Sequence, residues 1–345
     1  IAEELSKKIR VNLGMRFVDP EGKLLLDWPR PQKIGPHGWY ASYRFHQPDL
    51  ERVLRKATEH NETQEIHSSA EVFFAHDQGD KVEVRYKDLK TGQIHIVNTK
   101  YAVGCDGANS IMRQFIGTEM NDLGFQERWL VIDVLLKTPM PELGDHTIQY
   151  CNPKRPATYC RNPGKRRRWE IRLMDHEDET EATKEENVWA MLKKWITPNE
   201  ANLERKVVYT FLSAIAEKWR SGRLLLAGDA AHLTPPFMGQ GLCAGIRDVA
   251  NLAWKLALCS NRKMEDSLLD TYYSERYPHV KAYIETAIQL GGLINNLDSA
   301  EALKTAFPKA NGSARMESIA PRLGDGLKAG SSAHRGKLFP QLKLT

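Results

Sequence analysis

Alternating apolar and polar positions over Gly14 to Val18 and Leu24 to Trp28, joined by Asp19-Pro20-Glu21-Gly22, predict a hairpin after a helix-like opening, Ile1 to Val11. The proline- and glycine-rich stretch Pro29 to Gly38 predicts a loop. Pro48 suits the first turn of a helix running to about His60, with Leu50, Val53, Leu54 and Ala57 as its inward face. Three further alternating runs, Ala70 to His76, Lys81 to Asp88 and Gln93 to Asn98, are separated by Gln78-Gly79-Asp80 and Lys90-Thr91-Gly92 and predict a meander.

The middle of the chain alternates without intervening helices. Trp129 to Lys137, His146 to Cys151, Ala157 to Arg161, Arg168 to Met174 and Val207 to Ala216 predict an antiparallel sheet. Acidic Glu177 to Glu186 predicts a solvated loop, and Thr183 and Glu186 are spaced as a capping box for a helix to Ile196 with Val188, Met191, Leu192 and Trp195 inward. Lys165-Arg166-Arg167-Arg168, after Asn162-Pro163-Gly164, predicts a solvated hairpin. Glu265 to about Leu293 is helical in pattern, broken or kinked at Pro278, with Tyr272, Tyr273, Tyr277 and Tyr283 as packing residues. The pattern fades from Asp298, and Ala329 to Thr345 predicts an irregular tail.

Two stretches place a carboxylate at the end of a short apolar strand and a helix start soon after. In the first, Tyr101-Ala102-Val103-Gly104 leads to Cys105-Asp106-Gly107 and a helix opening at Asn109 or Ser110, with Arg113 in its first turn. In the second, Leu224 to Ala227 is a strand buried on both faces that ends in Gly228-Asp229. Pro235-Pro236 stiffen the following loop, and Gly239-Gln240-Gly241 open a helix over Leu242 to Leu258. Leu242, Ile246, Val249, Leu252, Ala253 and Leu256 make its expected inward stripe. A helix start offers unpaired amides and a partial positive charge to an electron-rich ligand, and an ionised Asp229 accepts from ligand hydroxyls. The glycines do not fit a Rossmann phosphate loop, because the third falls one residue late and a proline loop precedes them.

Composition narrows the classes. With 41% apolar and 27% charged residues, the 345-residue chain has the composition of an ordinary globular protein and the length of two structural units. Its net charge of +5 gives no argument for nucleic acid. No apolar run is long enough to span a bilayer, and no signal peptide is visible. Cys105, Cys151, Cys160, Cys243 and Cys259 include no C-x-x-C pair, which argues against a disulfide framework or zinc site and for a reducing cytoplasm.

AGDAAHLTPPFMGQGLCAGIRDVANLAWKLA, from Ala227, resembles the second FAD motif of the single-component flavoprotein aromatic hydroxylases, the group containing 4-hydroxybenzoate hydroxylase. It is most similar to the 3-(3-hydroxyphenyl)propionate hydroxylase branch, and the stretch around Asp106-Gly107 is similar to the same family's internal Asp-Gly motif. The resemblance implies an α/β fold with an α+β insertion. An incomplete FAD/NAD(P)-binding Rossmann-like domain would occupy 1–118 and 205–300, an antiparallel-sheet substrate domain 119–204, and an irregular tail 301–345. The family's opening βαβ unit with G-x-G-x-x-G has no match here, and the chain starts at Ile1; both suggest a fragment whose first βαβ lies upstream and whose thioredoxin-like extension lies beyond the end.

The implied function is hydroxylation of a phenolic aromatic acid with NADH or NADPH and O2 through a C4a-hydroperoxyflavin. Cofactor contacts would fall on Gly228, Asp229, Gly239, Gln240, Gly241, Leu242, Asp106 and Gln47, with Pro235, Pro236 and Phe237 near the flavin ring. His232 is expected to shape the loop, and Tyr159 and His146 are candidates for activating the phenol, neither preferred. The expected partners are a small aromatic substrate and O2, with no nucleic acid and no membrane span; a homodimer stays open. Two alternatives also stay open: a flavin oxidoreductase acting on a non-phenolic substrate, and a non-catalytic fragment that does not retain FAD.

Overall fold

The computed structural model describes residues 1–59, 61–296, 314–315, 319–327 and 332–338. The amino-terminal hairpin forms as β1 (Gly14–Val18) and β2 (Leu24–Pro29), followed by α1 (Gln47–Glu59). The meander is β3 (Ala70–Asp77), β4 (Val82–Asp88) and β5 (Ile94–Thr99). Then come β6 (Ala102–Gly104) and α2 (Ile111–Ile116), whose first turn is capped by the Ser110 hydroxyl. The middle strands are β7 (Met120–Leu136), β8 (Thr147–Tyr150), β9 (Ala157–Arg161) and β10 (Arg166–Arg172). After α3 (Glu185–Leu192) and β11 (Ala201–Ala216) come β12 (Leu224–Leu226), β13 (His232–Leu233), α4 (Gly241–Ser260) and α5 (Asp270–Asn296).

Among the described residues, nine strands form one sheet in the order β13-β11-β7-β10-β9-β8-β1-β2, with Ala314–Arg315 outermost. The five middle strands pair antiparallel with one another, as expected, and parallel ladders arise only where other segments join them. β8 pairs in parallel with β1, setting Ile148 opposite Arg16, and Ala314–Arg315 runs parallel to β2. The hairpin at 14–29 therefore extends the middle sheet, a pairing between distant segments that local alternation does not encode. Alternate residues of β7 serve two cores. Leu130, Ile132 and Val134 pack with Tyr159, Trp169, Val188 and Leu192 on the α3 side. Phe125 and Trp129 pack with Phe17, Trp28, Phe237 and Leu290 on the other.

Several local expectations are corrected. Residues 177–186 are not a loop. Asp178 caps a helix over Glu179–Ala182, accepting from Glu181 N at 2.9 Å. The capping box is absent too, because the Thr183 hydroxyl donates back to Glu179 O at 2.9 Å and leaves α3 without a side-chain cap. The basic run is not simply solvated: Arg167 is buried, and Arg168 makes a bidentate pair with Asp133 across the sheet at 2.7 and 2.9 Å. α1 buries only Val53 of its expected face. The opening segment holds a helix only over Ala2–Ser6, and Arg10–Val11 pairs with Tyr43–Arg44 as strands. α5 continues through Pro278. The tail expected from Ala329 lies outside the described residues except 332–338, which are turns and bends.

The largest departure concerns α4. Its buried positions are Ala244, Asp248, Leu252, Lys255 and Cys259, whereas Leu242, Ile246 and Val249 of the expected stripe are 42%, 52% and 49% exposed. Two charged side chains hold the inward phase because each finds hydrogen-bonding partners there, described below. No helix among the described residues is long and apolar enough to cross a membrane.

Candidate functional site

The two carboxylate motifs meet at one sheet edge. β6 and β12 pair in parallel, with Gly104 opposite Leu226, and Ala227 N donates to Gly104 O at 2.9 Å. Asp106 and Asp229 thus leave the carboxyl ends of neighbouring parallel strands, the edge at which α/β sheets bind ligands. Arg113 links the two turns, donating to Ala230 O at 3.1 Å and Ala108 O at 2.7 Å. Asp106 uses both oxygens internally, accepting from Ser110 Oγ at 2.6 Å and Met112 N at 3.1 Å, and so shapes the start of α2.

Asp229 differs. It lies exposed on its turn and has no donor among the described residues. The protein packed around its carboxyl pushes the pKa above the usual carboxylate range, opposed by His232 and reinforced by Asp248. The turn requires glycine at 228, where φ is +62°, and it sits against α4 through the bare backbone of Gly245.

At the start of α4 the first intrahelical bond runs from Ala244 N to Gln240 O at 2.8 Å. The amides of Gly241, Leu242 and Cys243 therefore have no acceptor within the helix, and Gln240 supplies no side-chain cap. Gln240 Oε1 instead accepts from Arg247 at 3.1 Å. Gly239, at φ +62°, donates its own amide to Pro236 O at 2.8 Å, and the space beside Gly241 is open. Leu242 is exposed at this helix start.

The loop before α4 is anchored from below. Pro235 is buried, and the Phe237 ring meets Phe125 and Trp129 edge-on with centroids 5.5 and 5.6 Å away. Phe237 is therefore a core residue. Gln47 is exposed and donates to Glu51 at 3.1 Å; no described contact joins it to Asp229 or α4. Tyr159 packs on the α3 side of the sheet, opposite Phe237, and burial pushes its hydroxyl up to about 12. Burial and the neighbouring Arg16 hold His146 below the usual histidine range.

Sequence reasoning missed Asp248, Arg276 and His279, which lie buried beneath the Asp229 turn. Asp248 accepts from Gly228 N at 3.1 Å, His232 Nε2 at 2.6 Å and Arg276 Nε at 2.8 Å. A charge at the inward phase of a helix carries no periodic signal, so nothing in the pattern marks it.

The residues present fit FAD. Asp229 is an accessible acceptor for a hydroxyl-bearing chain, and three unsatisfied amides at a 20-residue helix start suit the electron-rich edge of a flavin. Comparison with known proteins agrees. The FAD binding domain profile matches residues 12–287. A probable NADH-specific resorcinol 4-hydroxylase of Rhodococcus jostii is 39% identical over 99% of this chain and 64% of its own length. A 3-(3-hydroxy-phenyl)propionate/3-hydroxycinnamic acid hydroxylase of Burkholderia vietnamiensis is 34% identical over 85% of this chain and 53% of its own. The chain thus spans roughly half to two thirds of these relatives. Among solved structures, p-nitrophenol 4-monooxygenase from Pseudomonas putida superposes with a TM-score of 0.77 at 20% identity, over 88% of this chain and 77% of that one. The flavin-dependent monooxygenase PieE, in complex with FAD and substrate, gives 0.76 at 20%, over 92% and 56%. Those two likenesses speak to fold alone.

Proposed function

The chain belongs to the FAD binding domain family, and from that premise we propose that it forms the flavin and substrate seat of an aromatic hydroxylase that consumes NADH and O2 and acts on a phenol. The observation that carries this reading is the pairing of an accessible Asp229, without a described donor, with the uncapped start of α4.

Bound FAD would supply the activated oxygen that enters the ring, with NADH as the reductant and O2 as the oxygen source. The chain's own residues do the rest. Asp229 would accept from a hydroxyl of the ribityl chain. The amides of Gly241, Leu242 and Cys243 would donate to the ring edge where negative charge grows on reduction. Pro235-Pro236, held down by Phe237, wall the reacting side and exclude water. Asp106 acts indirectly by fixing the neighbouring turn.

Resorcinol is the first substrate to try, because the relative of that name matches 99% of the chain, and 3-(3-hydroxyphenyl)propionate is the second. The test is NADH oxidation by the purified protein with FAD. It should be run in parallel on a chimera carrying the flanking segments of the Rhodococcus jostii relative. Phenol-stimulated oxidation with a product heavier by one oxygen atom supports the reading. Absence of both flavin binding and stimulated oxidation in protein and chimera contradicts it.

A further inference from the structure

We infer that Asp248 is a positioning residue for the flavin site: its buried carboxylate sets the Gly228–Asp229 turn by drawing three donors, two from that loop and one from α5. The role in flavin binding rests on the function proposed above; the hold on the turn does not. Asp248 has no exposed surface, and neither has its partner His232. One oxygen accepts from both Gly228 N and His232 Nε2, and the other from Arg276 Nε on α5. Arg276 is then fixed by His279 Nδ1 at 2.9 Å and by Ala244 O at 3.4 Å.

Burial alone would push the Asp248 carboxyl up. The hydrogen bond from His232, with the charge and hydrogen bond of Arg276, opposes this and leaves the group below the usual carboxylate range. His232 Nδ1 is buried without a partner, so the neutral tautomer with its proton on Nε2 is the one that leaves no donor stranded. In this arrangement every donor onto Asp248 points inward, and the neighbouring Asp229 is presented outward. Tyr272 completes the frame by donating to Leu226 O at 3.0 Å, at the end of β12.

Asp248→Asn tests this, because an amide nitrogen must then face at least one of the three donors. Amide hydrogen exchange is read without flavin at Gly228 and, as a reference, at Leu225 in β12. The expected result is exchange at Gly228 faster by about tenfold or more relative to Leu225, with FAD Kd raised by about tenfold or more. Equal acceleration at both amides would show a loss of global stability only and overturn the inference; so would an unchanged FAD Kd with Gly228 released. If Asp248→Asn does not fold, His232→Leu and His232→Gln decide. Leu should loosen Gly228, and Gln, which can donate to Asp248, should restore it. Indistinguishable Gln and Leu variants overturn the inference. Should neither the wild-type protein nor the chimera bind FAD, the flavin reading fails, and exchange alone still decides whether Asp248 holds the turn.

Discussion

Gly228 and Gly245 meet as bare backbones: a Cβ on Gly245 would lie 3.3 Å from the Gly228 Cα, and one on Gly228 3.7 Å from the Gly245 Cα. This contact brings the turn after β12 down onto α4. Gly228 has little freedom to yield, since its amide is bonded to Asp248 and its carbonyl accepts from Ala231 N at 2.8 Å. Gly245→Ala gains up to about 1 kcal/mol of helix propensity, and the displaced turn is expected to cost more. The expected outcome is a Tm lower by about 2–4 °C with weaker FAD binding. An unchanged or higher Tm in a thermal melt would show that the turn can move.

Gly241→Ala should behave in the opposite sense for stability. Nothing lies within 4 Å of a Cβ built there, and the residue is the first of α4. The flavin-free protein should keep or slightly raise its Tm, by an amount worth at most about 1 kcal/mol. FAD binding should weaken, because the methyl occupies space offered to the ligand. Melts with and without FAD separate the two effects.

His279 predicts a pH dependence. Burial, with Arg276 and Arg247 nearby and Asp248 opposing, lowers its pKa to about 4. Its Nδ1 lies 2.9 Å from an Arg276 nitrogen, a contact that needs the neutral ring as acceptor. The unfolded chain protonates near the ordinary value of about 6.5, before the folded one does. Stability from this site is therefore complete above about pH 6.5 and falls as the pH drops towards 4. His279→Gln keeps an acceptor for Arg276 and removes the titration. Its Tm should fall less than that of wild type between about pH 7.5 and about pH 5.

Lys255 has no exposed side-chain surface and donates to Glu275 at 2.7 Å and Asn251 at 2.9 Å. Lys255→Met leaves Glu275 without that cation and should cost about 3 kcal/mol. Lys255→Met with Glu275→Leu should recover most of the loss. Denaturant titration of both variants checks this, and a double variant no better than the single would refute it.

Legibility varied with the range of the interaction. The hairpin at 14–29, the meander and α1 were readable because alternation and turn residues are local signals. The parallel pairing of β1 with β8 was not, since it joins segments far apart in the chain. The inward face of α4 was misjudged because Asp248 and Lys255 look like solvent-facing residues until their partners on α5 are seen. In the site, the family resemblance singled out Asp229 and the start of α4. It could not show that Asp106 is satisfied internally or that Phe237 belongs to the core.

The most direct measurement is FAD affinity, followed by flavin absorbance and fluorescence, for wild type and Asp229→Ala in the protein and in the chimera with its relative's flanking segments. Retained flavin in wild type, with Kd raised by about tenfold or more in Asp229→Ala and no change in flavin-free Tm, is the predicted result. Equal FAD affinity in the two proteins would contradict the assignment of Asp229 and the start of α4 as the flavin seat.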